Sequence, residues 1–234
     1  MNDRGQASVE WIALIGVVAL LFTAATLAAG PYLSAHGRRI PPSEGAALAL
    51  ARRWAPALVL ERGTTGVPVD PRTCRAVACS IGATPVLFTH VLHRGTTTYV
   101  QYWAYWPESS WHGVAGRHAD DWESFQVRID PDGIAWARAS AHHGYTGRRI
   151  GPDLNVNQVR PQWVPERWRR GWTRYANGYA IAKNSHAGYV SSSFAALGPA
   201  PRLVPLDPAT LPGLYAIAPP WRKAVYSEPE SAAT

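Results

Sequence analysis

Lysine is nearly missing from this 234-residue chain. Lys183 and Lys223 are the only two, so the basic excess behind the formal charge of +7 is almost all arginine. Cysteine is scarce too: Cys74 and Cys79 stand alone, four residues between them. No C-x-x-C pair exists, which excludes a zinc knuckle and a thioredoxin-type redox motif. An exported domain would join the two in a small local disulfide, whereas a cytosolic one would bury them as ordinary thiols. There is no G-x-S-x-G elbow, H-E-x-x-H helix, P-loop or G-x-G-x-x-G fingerprint. The readily recognised hydrolases, zincins and nucleotide binders are thereby excluded. No internal repeat is present.

Aromatics and chain punctuators are plentiful, with 11 Trp, 10 Tyr, 20 Gly and 20 Pro. Short segments rich in Val, Thr, Tyr and Trp alternate with Gly and Pro, which favours an all-β core over a helical bundle. The positive charge suits anionic surfaces such as lipid headgroups. Spread over a whole surface it signifies no more than solubility, which is the preferred reading, and no nucleic-acid partner is expected.

From Trp11 to Gly30 no residue is charged and no polar stripe interrupts the apolar run. Twenty helical residues span about 30 Å, the hydrocarbon thickness of a bilayer. One N-terminal transmembrane helix is therefore expected, within a segment covering residues 1–35. The preceding stretch, Arg4-Gly5-Gln6-Ala7-Ser8-Val9-Glu10-Trp11, resembles the leader of Flp-type pilins and TadE-like pseudopilins. That resemblance implies peptidase processing after Gly5, with Glu10 as the acidic residue five positions on, and a product that stays anchored. Charge does not set the orientation, since Arg4 precedes the helix and Arg38 and Arg39 follow it. The resemblance places the bulk of the chain outside the cytoplasm, as a single-pass membrane protein.

Residues 36–45 read as a linker, 46–226 as the folded domain, and 227–234 as a frayed tail. Ser43 is placed to cap a short helix reaching Trp54. Strands are expected at Ala57–Leu60, Val86–Leu92 and Thr96–Trp106, the last closed by Pro107-Glu108. Pro131-Asp132-Gly133 is a turn signature leading into a strand over Ile134–His142. Tyr179–Ile181, Tyr189–Phe194 and Leu214–Ile217 complete the set. Between Gln158 and Asn177, Trp and Arg interleave, a pattern that suits a headgroup layer. Tryptophans packing beneath their own loop explain it more simply, and that is favoured.

The chain is organised around Gly116-Arg117-His118-Ala119-Asp120-Asp121-Trp122-Glu123. From Asp121 the residues alternate, so Asp121, Glu123, Phe125, Val127 and Ile129 share one strand face. Two carboxylates at the mouth of a buried face require a cation, a proton or many hydrogen-bond donors. Glu108, His118, Asp121 and Glu123 are the candidate ligands, and oxygen donors with one imidazole suit Mg²⁺, Ca²⁺ or Mn²⁺. His142, His143 and His186 end later strand-like segments and can reach the same mouth. The alternative is a salt-bridge cluster with Arg117 and Arg138, the histidines being satisfied by carbonyl groups.

Trp103-Ala104-Tyr105-Trp106-Pro107-Glu108, the Gly116–Glu123 stretch and Ser140-Ala141-His142-His143-Gly144 together resemble the necrosis- and ethylene-inducing-like proteins (NLPs). They also resemble the related domain of vacuolar protein sorting-associated protein 62, as does Lys183-Asn184-Ser185-His186-Ala187. The NLP motif G-H-R-H-D-W-E, aligned on D-W-E, implies that His118, Asp121 and Glu123 bind a divalent cation, with Glu108 as a further acid. Asp120 takes the place of the motif's second His, beside the ligands. The resemblance spans roughly residues 50–220 and implies a β-sandwich.

The reading is an anchored, extracytoplasmic β-sandwich with short peripheral helices. It holds a divalent cation and recognises an anionic, glycan or lipid-headgroup ligand. Two alternatives stand beside it. One is a metal-dependent hydrolase in which His142 or His186 moves protons, and the other is a minor pseudopilin that partners pilus or secretion components.

Overall fold

The computed structural model describes residues 45–111, 116–141, 144–146, 171–191 and 198–231. The expected leader with Gly5 and Glu10, the transmembrane segment, the linker up to residue 44, and His142 and His143 lie outside the described residues. Among the described residues no helix is long and apolar enough to cross a membrane.

The domain is built mainly of strands. Helix α1 (Ala46–Arg53) leads into β1 (Ala57–Leu60), and a long loop carries the single turn α2 (Val77–Ser80). Strands β2 (Val86–Arg94), β3 (Thr97–Trp111), β4 (Gly116–Ile129), β5 (Ala135–Ala141) and β6 (Gly144–Thr146) follow. Then come β7 (Thr173–Arg174), β8 (Gly178–Ile181), β9 (Gly188–Ser191), β10 (Arg202–Pro205) and a last helix, α3 (Ala224–Ser227). A seven-stranded sheet runs in the order β10-β2-β3-β4-β5-β6, with β7 also on β5, and a three-stranded sheet runs β1-β8-β9.

Alternation along β3 sends its side chains to two different cores. Val100, Tyr102, Ala104 and Trp106 meet Leu58, Tyr179, Ile181 and Val190 of the small sheet. Phe125 and Tyr179 touch across that gap with ring centroids 5.4 Å apart. A Cβ at Gly188 would lie 2.8 Å from Ala139 Cβ and 3.1 Å from Ser140 O of β5, so glycine is what lets the layers approach this closely. On the other face, Phe88, Trp103, Tyr105 and Trp122 pack against Val67, Val69, Cys74, Leu206, Leu211 and Val225. The large sheet is therefore covered on both sides. Trp122, Ser124 and Gln126, opposite the expected inward face, are as buried as Phe125 and Val127.

Several boundaries differ from expectation for identifiable reasons. Helix α1 starts after Gly45, whose carbonyl accepts from Leu48 and Ala49 N–H, with no side-chain cap. Pro107 does not close β3: pairing steps from Trp106↔Asp121 to Glu108↔Ala119, so Pro107 lacks an N–H where the ladder does not use one. No strand forms at Leu214–Ile217, while Arg202–Pro205 adds to β2 in parallel as an edge strand that tolerates its terminal proline. The last described residues are docked rather than frayed. Tyr99 Oη and Trp172 Nε1 donate to the Glu230 carboxylate at 2.8 and 2.9 Å, and Arg138 donates to the Pro229 carbonyl. Trp172 and Tyr175 pack inside the domain, over Arg138 and against Trp54. Cys74 and Cys79 are joined by a disulfide.

Candidate functional site

The site grows from the register of β3 and β4, which sets Trp106 beside Asp121. The turn between β8 and β9 lays the His186 ring flat on the Trp106 indole, centroids 4.3 Å apart and planes within 4°. From there His186 Nδ1 meets Asp121 Oδ2 at 2.8 Å, with both side chains buried. The turn is tight: Ala182 N–H donates to Ala187 O, and His186 N–H donates to Ala182 O. Asn184 and His186 adopt φ of +66° and +52°. Left-handed backbone is costly for residues other than glycine, and it persists where surrounding contacts over-determine it.

Glu123 shares the Asp121 face and accepts a hydrogen bond from Ser140 Oγ. Burial, then the neighbouring Asp121 charge, pushes its carboxyl well above the usual range, against the opposing pull of Lys223 and Ser140. The buried Tyr179 hydroxyl has no hydrogen-bond partner among the described residues. Burial raises that phenol first, and the Glu123 and Asp121 charges raise it further.

The remaining sequence-predicted residues are placed differently. His118 lies in β4 three positions before Asp121, on the far side of the left-handed Asp120. It pairs with Ser109 and its Nδ1 lies 3.2 Å from Ala119 O. Glu108 shares the Asp121 face but is paired with Arg117 at 2.6 Å. Arg138, the other basic residue of the expected salt-bridge cluster, donates instead to Gln126 and to the C-terminal segment. Among the described residues, no group of three His, Cys, Asp or Glu side chains is gathered as a metal site.

Asp120, expected beside the ligands, faces the second core. It accepts from Arg75 at 2.7 Å, from Tyr105 Oη at 2.8 Å and from Ala216 N–H at 2.7 Å. Burial alone would raise its carboxyl, but those three donors and the Arg75 charge outweigh it and hold Asp120 below the ordinary range. Its own φ is +59°, so the clamp holds a left-handed residue at the point where β4 turns Asp121 toward His186.

A cavity of about 140 Å³ opens above this arrangement, lined by Trp106, Pro107, Glu108, Ser110, Asn184 and His186. Thr65, Val77 and Ser80 close it from the disulfide loop. Of these, His186 and Glu108 stand out in the sequence by their chemistry. Thr65 and Ser80 carry no local signal, because their role comes from a loop folding back over β3.

No protein-family model matches the chain, and no curated protein does. Solved structures do. NLPPya in complex with mannosamine is 21% identical over 70% of this chain and 75% of that one, with a TM-score of 0.45. NLPPya in complex with glucosamine is 20% identical over 70% and 76%, with a TM-score of 0.47. Necrosis and Ethylene inducing Protein 2, from the causal agent of cocoa's Witches Broom disease, is 17% identical over 72% and 76%, with a TM-score of 0.44. These neighbours are of the NLP type that the D-W-E stretch resembles. The likeness is distant, so function has to be argued from the site's own residues.

Proposed function

We propose that the domain is a binding module for a polyhydroxylated ligand, a glycan or sugar-bearing headgroup, held in the cavity over Trp106 and His186. The observation that carries this is the buried Asp121–His186 hydrogen bond beneath that cavity. With Nδ1 engaged, Nε2 is the ring nitrogen left for a ligand, and Asp121 fixes how the ring is aimed. Trp106 and Pro107 supply an apolar wall, while Ser110, Asn184 and Glu108 supply a few polar partners, the mixture small-ligand sites use. At about 140 Å³ the space is close to the ~150 Å³ cavity that admits benzene, so it seats one edge of a sugar ring and leaves the remaining hydroxyls outside.

A divalent cation, Mg²⁺, Ca²⁺ or Mn²⁺, belongs to the same reading. Asp121 and Glu123 would hold it, and it would supply a positive centre for hydroxyls or an anionic headgroup. The shared buried face of the two carboxyls and the Tyr179 hydroxyl, unpartnered among the described residues, support this, whereas His118 and Glu108 have other partners. Anchoring through residues 11–30 outside the cytoplasm completes the proposal. The Cys74–Cys79 disulfide supports an oxidising compartment, and pilus or secretion partners rest on the leader alone.

The test is calorimetric titration of the purified full chain with glucosamine and mannosamine, with and without a chelator. Saturable binding that His186→Ala weakens at least about tenfold, with the circular-dichroism spectrum retained, is the expected result. No saturable binding, or binding indifferent to His186→Ala, would overturn the proposal. A chelator-insensitive affinity would remove the cation from it.

A further inference from the structure

We propose that the Cys74–Cys79 disulfide is an exchange site for a small thiol carrying a carboxylate, which docks on Arg202 and attacks Cys79. The proposal is independent of what the cavity over Trp106 binds. The disulfide lines a second cavity, of about 240 Å³, whose apolar wall includes Val69 and Val86. That exceeds the ~150 Å³ that admits benzene, so a thiol of a few heavy atoms fits. The two sulfurs are not equivalent. Cys74 is 7% exposed and packs in the second core, whereas Cys79 is exposed. An incoming thiolate therefore meets Cys79, and Cys74 is the leaving group.

Charge around the cavity selects the thiol. Arg202 is the only base among the described residues lining it, and it extends from β10 beside Val86 of β2. Asp70, the acid there, is already neutralised, since Arg72 donates to its two oxygens at 2.8 and 2.6 Å. Arg202 stands 3.7 Å from Asp70 Oδ2, too far for a good hydrogen bond, and its side chain is 55% exposed. Its guanidinium thus keeps donors for a second carboxylate, which it can hold bidentately. The chemistry closes without an outside oxidant. The thiolate sulfur bonds to Cys79 Sγ while the Cys74–Cys79 bond breaks, and Cys74 departs as a thiolate that takes up a proton. The incoming thiol ends oxidised in a mixed disulfide, and Cys74 ends reduced. The opened loop carries α2, whose Val77 and Ser80 wall the cavity over Trp106, and Ser80 O accepts from Val67 N–H. Exchange therefore loosens that wall.

The experiment exposes the full chain to mercaptopropionate, mercaptoethanol or cysteamine, which are anionic, neutral and cationic thiols of similar size. Reactions are quenched with iodoacetamide. Each rate is divided by that thiol's rate with a free disulfide in solution, which removes differences in thiolate fraction. Trypsin cuts after Arg75, so mass spectrometry finds the two cysteines on separate peptides. The expected products are a thiol adduct on Cys79 and an alkylated Cys74. Mercaptopropionate should react about three- to tenfold faster than mercaptoethanol after normalisation, with cysteamine slowest, and salt should shrink the preference. Arg202→Ala should bring the ratio to about one with thermal melting unchanged. Arg174→Ala, which removes the same charge from an exposed position on β7, should leave it intact. A first adduct on Cys74, equal normalised rates in wild type, or a preference that survives Arg202→Ala overturns the site. The Val67 amide should exchange faster in the adduct, and unchanged protection there overturns the loosening of the wall.

Discussion

His186 lies parallel to Trp106 at 4.3 Å and meets Asp121 at 2.8 Å, so one imidazole joins the small sheet to both central strands of the large one. His186→Phe keeps a ring on Trp106 and removes only the polar contact. Asp121, buried, is then left without its partner. Urea denaturation should show a loss of about 2 kcal/mol, the typical cost of unpairing a buried charged acceptor. A change within a few tenths would mean the contact is neutral for stability.

At Asp120 the usual ranking of alanine and glycine should invert. Asp120→Ala loses Arg75, Tyr105 and Ala216 as partners and keeps a side chain at φ +59°, whereas Asp120→Gly loses the partners and relieves the backbone. Glycine should be the milder substitution by about 1 kcal/mol in chemical denaturation, opposite to its effect in an ordinary strand. Alanine as the milder change would show that the strand straightens without its clamp.

His90 predicts a pH slope. Its ring stacks on Tyr226 at 4.0 Å, and burial pulls its pKa below the ordinary 6.5, although Gln101 opposes this. The folded state keeps the ring neutral while the unfolded chain takes up a proton below the ordinary value. This stability is fully present above about pH 6.5 and is lost as pH falls toward the folded pKa. His90→Phe, which retains the stack, should flatten the fall in melting temperature between about pH 7 and pH 5.

The Cys74–Cys79 loop encloses only four residues, so its cross-link removes modest freedom from the unfolded chain. Replacing both with serine should cost about 2 kcal/mol by the loop-entropy relation. Arg75 follows Cys74 directly and holds Asp120, so the double variant should also lower protection of the Asp120 and Asp121 amides in hydrogen exchange. Unchanged exchange there would uncouple the loop from β4.

Much of the large sheet was legible because strand alternation is a local property. Asp121, Glu123, Phe125 and Val127 fall on one face as their spacing requires, and Ala57–Leu60 forms a strand with the bounds its apolar run suggests. Spacing does not place His118, because the left-handed Asp120 interrupts the alternation between it and Asp121. The aligned motif carried no geometry that could show this. The surroundings of Asp120 were not legible for a related reason. Its partners Arg75 and Ala216 lie 45 and 96 residues away, and nothing in the D-D-W-E stretch announces them.

Taken alone, the sequence determined where the central strands run and that Asp121 and Glu123 enter a greasy face, since both follow from period-two patterning and the cost of burying charge. It also determined the scarcity of lysine and the isolation of one cysteine pair. Tertiary structure alone decided that His186, 65 residues on, reaches Asp121. It likewise decided that a loop and the C-terminal segment cover the second face of β3 and β4. These are encounters between distant segments, selected by which surfaces bury each other, and no local pattern encodes them.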